Sequence, residues 1–140
     1  MKTIITGTPI QSRAASKLKR SESAEQQAVI KWWAVTCRAH SIPERLLFAV
    51  PLQAARTARN GARMKAEGAR AGTPDLFLLV ARKGFNGMII EMKREGGRVT
   101  PEQTAFINDA SEEGYYCAVC YSARCATDAI ELYLAFGPAK

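Results

Sequence analysis

The chain lacks what several common kinds of protein need. It has one histidine among 140 residues, His40, which excludes a zinc centre or a nuclease site built from several histidines. No apolar run approaches the roughly 20 residues of a membrane-spanning helix, and the first residues lack the apolar core of a signal peptide. We therefore expect a soluble protein that works in the cytoplasm.

Cysteine is also scarce, with four residues in the chain. Cys117 and Cys120 have CxxC spacing, but they lie in the segment 115–121, which reads as a strand. Residues three apart on a strand face opposite sides, so these two thiols could not bind one metal ion. We predict that the cysteines are small core residues and form neither a disulfide framework nor a metal site.

Positive charge is in excess, and only in one half of the chain. The net charge is +7; residues 1–71 hold 13 Lys and Arg against 4 Asp and Glu, whereas residues 72–140 hold 7 against 9. A basic half joined to an acid-containing half suits a protein that binds a polyanion with one part and uses carboxylates in the other. A need for solubility alone would explain the same charge.

The length predicts one domain, which the composition divides into three parts. Residues 1–21 are basic, contain no acid and show no periodicity. We expect them to form a flexible arm that either contacts nucleic acid or is a solvated tail. Residues 22–136 form the predicted folded domain, and residues 137–140 are a C-terminal tail.

The predicted elements follow the order αβαββαβα, an α/β fold with about four strands. The first helix begins with Ser23 as its N-cap and Gln26 as the capping-box partner. The first strand covers residues 45–50, and a second helix covers residues 53–67.

The second helix carries an arginine stripe. Arg56, Arg59 and Arg63 recur at i, i+3 and i+7 and therefore share one face. This face is either solvated surface or, beside an acidic site, a surface for phosphate oxygens. Small residues form another face that could pack closely on the sheet: Ala55, Ala58, Ala62 and Ala66.

The centre of the chain is a predicted hairpin made of residues 72–80 and 87–93. Its first strand is a short apolar run entered through Gly-Thr-Pro, as expected of a strand covered on both faces. If the hairpin is symmetric about Gly84, Asp75 lies opposite Lys93 and diagonal to Glu91. Because alternate residues share a face, two carboxylates and one ammonium then meet at the open end of the sheet.

These three side chains predict metal-assisted hydrolysis of a phosphodiester bond. Carboxylate oxygens with open positions suit Mg²⁺ or Mn²⁺, and such a cation polarises a phosphoryl oxygen and lowers the pKa of a bound water. Lys93 would orient or help to deprotonate that water and stabilise the transition state. The simpler interpretation is that these are ordinary ion pairs on a strand face, of Glu91 with an arginine and of Lys93 with Asp75.

Two further polar residues have both a structural and a functional interpretation. Glu25 precedes Val29 by four residues and Trp33 by eight, so it lies on the inward face of the first helix. It either favours the positive helix N-terminus or reaches the site of Asp75 and Glu91. Gln103 completes a capping box with Thr100, and that role alone would explain a glutamine there.

Three segments together resemble a known family: Gly-Thr-Pro-Asp-Leu at 72–76, Ile-Glu-Met-Lys-Arg at 90–94 and Thr-Pro-Glu-Gln at 100–103. They resemble the PD-(D/E)xK nuclease superfamily and, within it, the VRR-NUC domain in its compact stand-alone form from phages and bacteria. The resemblance covers residues 22–134. It implies a mixed β-sheet flanked by helices and Mg²⁺- or Mn²⁺-dependent cleavage of DNA. It also implies similarity to Holliday junction resolvases, which act as homodimers on branched DNA.

The resemblance assigns roles to particular residues. The catalytic set that it implies is Glu25, Asp75, Glu91, Lys93 and Gln103. The three acids of this set, together with the backbone carbonyl of Met92, are the implied metal ligands. Around the site, we expect the following basic residues to bind DNA: Arg56, Arg59, Arg63, Lys65, Arg94 and Arg98.

The chain departs from the family in one place. Family members often carry Pro-Asn-Gly-Gly after the first strand, whereas residues 51–54 here are Pro-Leu-Gln-Ala. The departure bears on substrate positioning more than on metal binding, because every acid and the lysine are present. Two functions stay open: a structure-selective DNA endonuclease, and a basic DNA-binding or assembly module that keeps the nuclease fold without turnover.

Overall fold

A computed structural model describes residues 4–6, 21–52 and 58–139 of the chain. The strands in these residues are β1 (Ile4–Thr6), β2 (Leu47–Ala49), β3 (Leu76–Leu78), β4 (Gly87–Met92) and β5 (Tyr115–Cys120). The helices are α1 (Glu22–Thr36), α2 (Ala58–Ala66), α3 (Pro101–Glu112) and α4 (Ala123–Leu134). Two short 3₁₀ turns, Cys37–His40 and Glu44–Leu46, join α1 to β2.

The strands form one mixed sheet in the order β1-β5-β4-β3-β2. β4 and β5 are parallel, and α3 makes the crossover that a parallel pair requires. β3 is antiparallel to both of its neighbours, β4 and β2. The predicted α/β fold, a mixed sheet flanked by helices, is confirmed.

β1 adds a strand to the predicted order. Residues Ile4–Thr6 pair in parallel with residues 117–119 of β5, although they lie in the segment predicted as a flexible arm. Three β-branched residues are too few to show a periodicity in the sequence, and pairing with a neighbouring strand decides their conformation. Residues 7–20 of the predicted arm lie outside the described residues.

Two apolar cores lie on opposite faces of the sheet. α1 and α4 cover one face, with Val29, Trp33 and Tyr133 among its buried residues. α3 covers the other face and packs Ile107 against buried strand residues. Cys120 belongs to the first core and Cys117 to the second, which confirms that the two thiols face apart.

The start of α1 differs from the prediction. Ser21, not Ser23, is the N-cap, and its side chain accepts a hydrogen bond from the backbone N–H of Ala24 at 3.1 Å. Ser23 lies inside the helix, where its hydroxyl oxygen is 3.2 Å from the side-chain amide nitrogen of Gln27. Starting the helix at Ser21 places Glu22 in the acidic first turn, where a carboxylate is favoured by the helix dipole.

The next two elements are shorter or oriented differently than predicted. The strand predicted over residues 45–50 begins only at Leu47, because a 3₁₀ turn precedes it. In α2 no residue is buried, and the alanines at 58, 62 and 66 are exposed, so the prediction of an alanine face against the sheet is wrong. Met64 is the half-buried side chain instead, because it offers more apolar surface than an alanine.

The register of the central hairpin also differs from the prediction. Leu76 pairs with Ile90 and Leu78 pairs with Met88, so the same register places Asp75 opposite Glu91 and not opposite Lys93. The reason is the turn: Arg82 and Phe85 bridge a two-residue loop, and the first strand of the hairpin holds one extra residue between Leu78 and Arg82. The error is two residues, which keeps the same side chains on the same face.

The entry to β3 lies against the first turn of α3. Gly72 has a positive φ of 79°. A Cβ at this position would lie 2.4 Å from the carbonyl carbon and oxygen of Glu102 and 2.7 Å from the backbone nitrogen of Gln103. Only glycine allows these two backbone segments to lie so close. Their contact sets the distance between the N-terminal end of α3 and the entry to β3.

We expect Gly72→Ala to lower the free energy of unfolding by more than about 2 kcal/mol, because it combines a positive φ with a backbone clash. Gly68→Ala is the matched control: Gly68 also has a positive φ, of 107°, but a Cβ there meets nothing within 4 Å. It should lose only about 1 kcal/mol. Urea unfolding measures both. Equal losses would show that close packing at Gly72 does not contribute.

Candidate active site

Four of the predicted catalytic residues lie at one end of the sheet, on the face that α3 covers: Asp75, Glu91, Lys93 and Gln103. Asp75 immediately precedes β3, Glu91 is the next-to-last residue of β4, and Lys93 follows β4. Glu91 alternates with Ile89, which belongs to the α3-side core. The strands therefore bring three charged groups together. Two of them, Glu91 and Lys93, are buried.

The carboxylate of Glu91 is the most enclosed of these groups, with 2% of the residue exposed. Its Oε1 accepts hydrogen bonds from Lys93 Nζ at 3.0 Å and from Gln103 Nε2 at 2.6 Å. Its Oε2 is buried and has no hydrogen-bond partner among the residues that the structure describes. A buried carboxylate oxygen without a partner is costly, so Oε2 is the atom through which this site would bind a cation.

Burial raises the pKa of Glu91 from its ordinary value of 4.5 to about 7. The hydrogen bond from Lys93 acts in the opposite direction, while the negative charges of Asp75 and Glu22 add to the increase. A cation in the site would offset both the burial and the repulsion between carboxylates.

Asp75 faces Glu91 across the hairpin and is half-buried. Its Oδ2 accepts a hydrogen bond from the backbone N–H of Met92 at 2.8 Å. Burial raises the pKa of Asp75, an effect that this hydrogen bond and the charge of Lys93 partly offset. The aspartate thus fixes the end of β4 while keeping a carboxylate at the site.

Gln103 forms the predicted capping box and also contacts Glu91; its catalytic role stays a prediction. Its Oε1 accepts from the backbone N–H of Thr100 at 2.9 Å, and Thr100 Oγ1 accepts from the backbone N–H of Gln103 at 3.2 Å. This capping box, with Pro101 at the first helical position, confirms the predicted start of α3. The capping bond also fixes the amide so that its NH₂ group points to Glu91.

Glu25 contacts a different element. Its Oε2 accepts a hydrogen bond of 2.6 Å from the backbone N–H of Ala123, the first residue of α4. The reason is that α1 and α4 pack together on the face opposite α3. The described contact of Glu25 is therefore with a helix N-terminus, and its catalytic role stays a prediction.

Glu22 is a site-proximal acid that the sequence reasoning missed. Its Oε1 accepts a hydrogen bond of 3.1 Å from the backbone N–H of Arg94, directly after Lys93. Its charge contributes to raising the pKa values of both Asp75 and Glu91. The helix start predicted at Ser23 left Glu22 outside α1; Ser21 as N-cap was the signal that could have found it.

The predicted DNA-binding residues are exposed wherever the structure describes them. Arg59, Arg63 and Lys65 lie on α2, and Arg94 and Arg98 lie in the loop after β4. Arg63 forms an exposed ion pair with Glu67 at 2.9 Å. Arg56 lies outside the described residues.

The donor set suits a hard divalent cation that keeps several of its own waters. In the part of the chain that the structure describes, no group of three or more His, Cys, Asp or Glu is arranged to hold a metal ion. Asp75 and Glu91 nevertheless offer two facing carboxylates, one with an unpartnered oxygen. Mg²⁺ is commonly held by one or two carboxylates with waters completing its shell. The carbonyl of Met92 remains a predicted ligand.

Comparison with known proteins agrees with this geometry. The sequence profile of the VRR-NUC domain matches residues 9–124 of the chain. The chain belongs to the VRR-NUC domain family. A solved structure named VRR_NUC domain protein superposes with a TM-score of 0.70 at 23% identity, over 86% of this chain and 93% of that one. This likeness shows a shared fold. A search of curated proteins gave no match.

The VRR-NUC assignment places the chain in a nuclease-type superfamily. It supports nuclease activity in general and the use of a divalent metal in general. The matched segment includes Asp75, Glu91, Lys93 and Gln103. Among the described residues, no helix has the length and apolar character to cross a membrane.

Glu91→Gln should stabilise the metal-free protein at high pH. Because the folded-state pKa of about 7 lies above the ordinary 4.5, the folded state binds more protons between these values, and wild-type stability falls as pH rises through this window. We expect a gain of about 2 kcal/mol at pH 8 in chelator and none at pH 4.5, by thermal unfolding. Glu95→Gln, on the exposed loop, is the control. A gain independent of pH would contradict burial as its cause.

Glu25→Ala should lower the free energy of unfolding by about 1–2 kcal/mol, because the N–H of Ala123 loses its charged acceptor. Glu25→Gln keeps an acceptor oxygen and should recover most of that loss. Thermal unfolding of both variants beside a cleavage assay makes the comparison. Unchanged stability with lost cleavage would instead support the catalytic role that the family resemblance implies.

Proposed function

We propose that this VRR-NUC domain protein is a Mg²⁺- or Mn²⁺-dependent endonuclease that hydrolyses phosphodiester bonds in DNA. Branched DNA such as a Holliday junction is the proposed substrate, and a cytoplasmic homodimer is the proposed working unit. The observation that carries the proposal is the environment of Glu91: a buried carboxylate with Lys93 and Gln103 on one oxygen and no partner on the other.

Asp75 and Glu91 would hold the cation between their facing carboxylates. When bound, the cation supplies charge that polarises a phosphoryl oxygen and lowers the pKa of a water. Gln103 holds Oε1 of Glu91 by a hydrogen bond, which leaves Oε2 as the oxygen that would bind the cation. Because Gln103 is itself fixed by the capping box, this orientation exists before substrate binds.

Lys93 would act on the attacking water and on the transition state. Its Nζ lies 3.0 Å from Glu91 Oε1, and the residue is 8% exposed. An ammonium held there can orient a water through its N–H donors and stabilise the negative charge that grows on the phosphoryl oxygens. Since Glu91 is its partner, the lysine is positioned by the same carboxylate that would hold the cation.

The exposed basic residues support DNA as the substrate. Four of these residues are exposed and carry positive charge suited to phosphate oxygens: Arg59 and Lys65 on α2, and Arg94 and Arg98 after β4. The excess of positive charge in residues 1–71 would attract a polyanion. Carboxylates facing the same phosphates would oppose pure binding, which favours turnover over a binding module.

The homodimer follows from the substrate. One domain of 140 residues offers one such site, yet resolution of a four-way junction needs two cuts placed symmetrically. A two-fold dimer supplies two sites related by the symmetry of the junction.

The test is incubation of the purified protein with flap, fork, four-way junction and linear duplex DNA, with Mg²⁺, with Mn²⁺ and with chelator. We expect metal-dependent cleavage, fastest on branched DNA, and a dimer by light scattering at micromolar concentration. Tight DNA binding without cleavage under every condition would instead favour the DNA-binding module. A strict monomer that cuts both strands of a junction would refute the dimer.

Lys93→Ala should abolish cleavage, by at least about 100-fold, while DNA affinity stays near that of the wild type. The reason is that Lys93 acts on the water and the transition state, whereas affinity comes from many phosphate contacts. Single-turnover cleavage and fluorescence anisotropy in Ca²⁺ measure the two effects. Lys83→Ala, an exposed lysine of the hairpin turn, is the control. Near wild-type cutting by Lys93→Ala would remove Lys93 from the mechanism.

A further inference from the structure

An open cleft lies between α2 and the first turn of α3. Its volume is about 440 Å³, within the range of about 300–1,000 Å³ that small-molecule sites occupy. We call it the α2–α3 cleft. Gly72 and Thr73, which lead into β3, line it together with residues at the N-terminal end of α3.

The lining of the α2–α3 cleft combines apolar surface with positive charge. Leu52 and Met64, both half-buried, supply apolar side chains. Lys65 and Arg70, both exposed, supply two cations, against the single carboxylate of Glu102. A flat apolar group joined to an anion fits this lining better than either one alone.

The cleft shares a residue with the candidate active site. Gln103 lines it, and the amide of the same Gln103 donates to Glu91. Whatever occupies the cleft therefore lies next to a side chain that contacts Glu91. If Glu91 binds the cation at the cleaved phosphate, as the proposed function has it, a neighbouring nucleotide of the same strand is the group within reach of the cleft.

We propose that the α2–α3 cleft binds one unpaired nucleotide of the DNA substrate. Its base packs against Leu52 and Met64, and its phosphate lies near Lys65 and Arg70. This inference rests on the proposed endonuclease function and adds a source of selectivity. Branch points offer unpaired or easily unpaired nucleotides, whereas an intact duplex must first be unstacked at a cost of a few kcal/mol.

Gly61 makes the proposal testable from the protein side. It lines the cleft from α2, and a Cβ added to it meets nothing within 4 Å. Gly61→Phe therefore fills the cleft without a clash at the Cβ. Ala62→Phe adds the same ring to exposed α2 surface outside the cleft and is the matched control.

The first measurement crosses these variants with a series of branched DNAs in which single nucleotides around the branch point are abasic. One abasic position should lower wild-type cleavage about tenfold, the order expected for losing one base contact. Gly61→Phe should lose a similar factor on intact DNA and nothing further on that abasic DNA, while Ala62→Phe behaves as wild type. The proposal would be overturned if the cleavage losses from Gly61→Phe and from the abasic position multiplied. It would also be overturned if no abasic position lowered cleavage by the wild type.

The second measurement needs no cleavage. Each position around the branch point carries 2-aminopurine in turn, and binding is followed in Ca²⁺. Fluorescence should rise at one position as the base leaves the stack, with wild type and Ala62→Phe but not with Gly61→Phe. No rise at any position, or the same rise with Gly61→Phe, would overturn the cleft assignment. If DNA binds with this fluorescence rise but is not cut with Mg²⁺ or Mn²⁺, the proposed nuclease activity is overturned and the cleft assignment stands.

Discussion

The burial of one carboxylate, that of Glu91, constrains the rest of the site. A charge at 2% exposure is tolerated only if it is paired and hydrogen-bonded, and here one oxygen receives both Lys93 and Gln103 while the other receives neither. The capping box holds Gln103, and the close approach of Gly72 holds the turn that carries it. Within the site, the carboxylate of Glu91 thus keeps its unsatisfied hydrogen-bonding capacity on one oxygen, Oε2.

The backbone after Glu91 is anchored by three different elements in succession. The N–H of Met92 donates to Asp75 before β3, that of Lys93 to the carbonyl of Cys120 in β5, and that of Arg94 to Glu22 of α1. Such fixation of backbone on both sides of a functional side chain is what keeps a site within its productive geometry. It also explains why α1, which packs on the opposite face, still supplies an acid near the site.

α2 contrasts with this rigid end of the sheet. It has no buried residue and carries Arg59, Arg63 and Lys65 on exposed surface. A helix held by so little apolar contact can adjust to a substrate at small cost, whereas Asp75, Glu91 and Lys93 cannot move without breaking the network. The two regions therefore have different proposed roles. The sheet and α3 provide the catalytic groups, and α2 with the α2–α3 cleft binds the DNA.

Much of this was decided locally and was therefore readable from the sequence. The α3 capping box needs only Thr100 and Gln103 three positions apart in one turn, and the shared face of Asp75 and Glu91 survives a register error of two residues because strand side chains alternate. The pairing of Asp75 with Glu91, the contact of Gln103 with Glu91 and the contact of Glu22 with Arg94 join residues 12 to 72 positions apart. Only packing decides such contacts. Local pattern selects which face a residue occupies, and tertiary structure selects which neighbour it meets there.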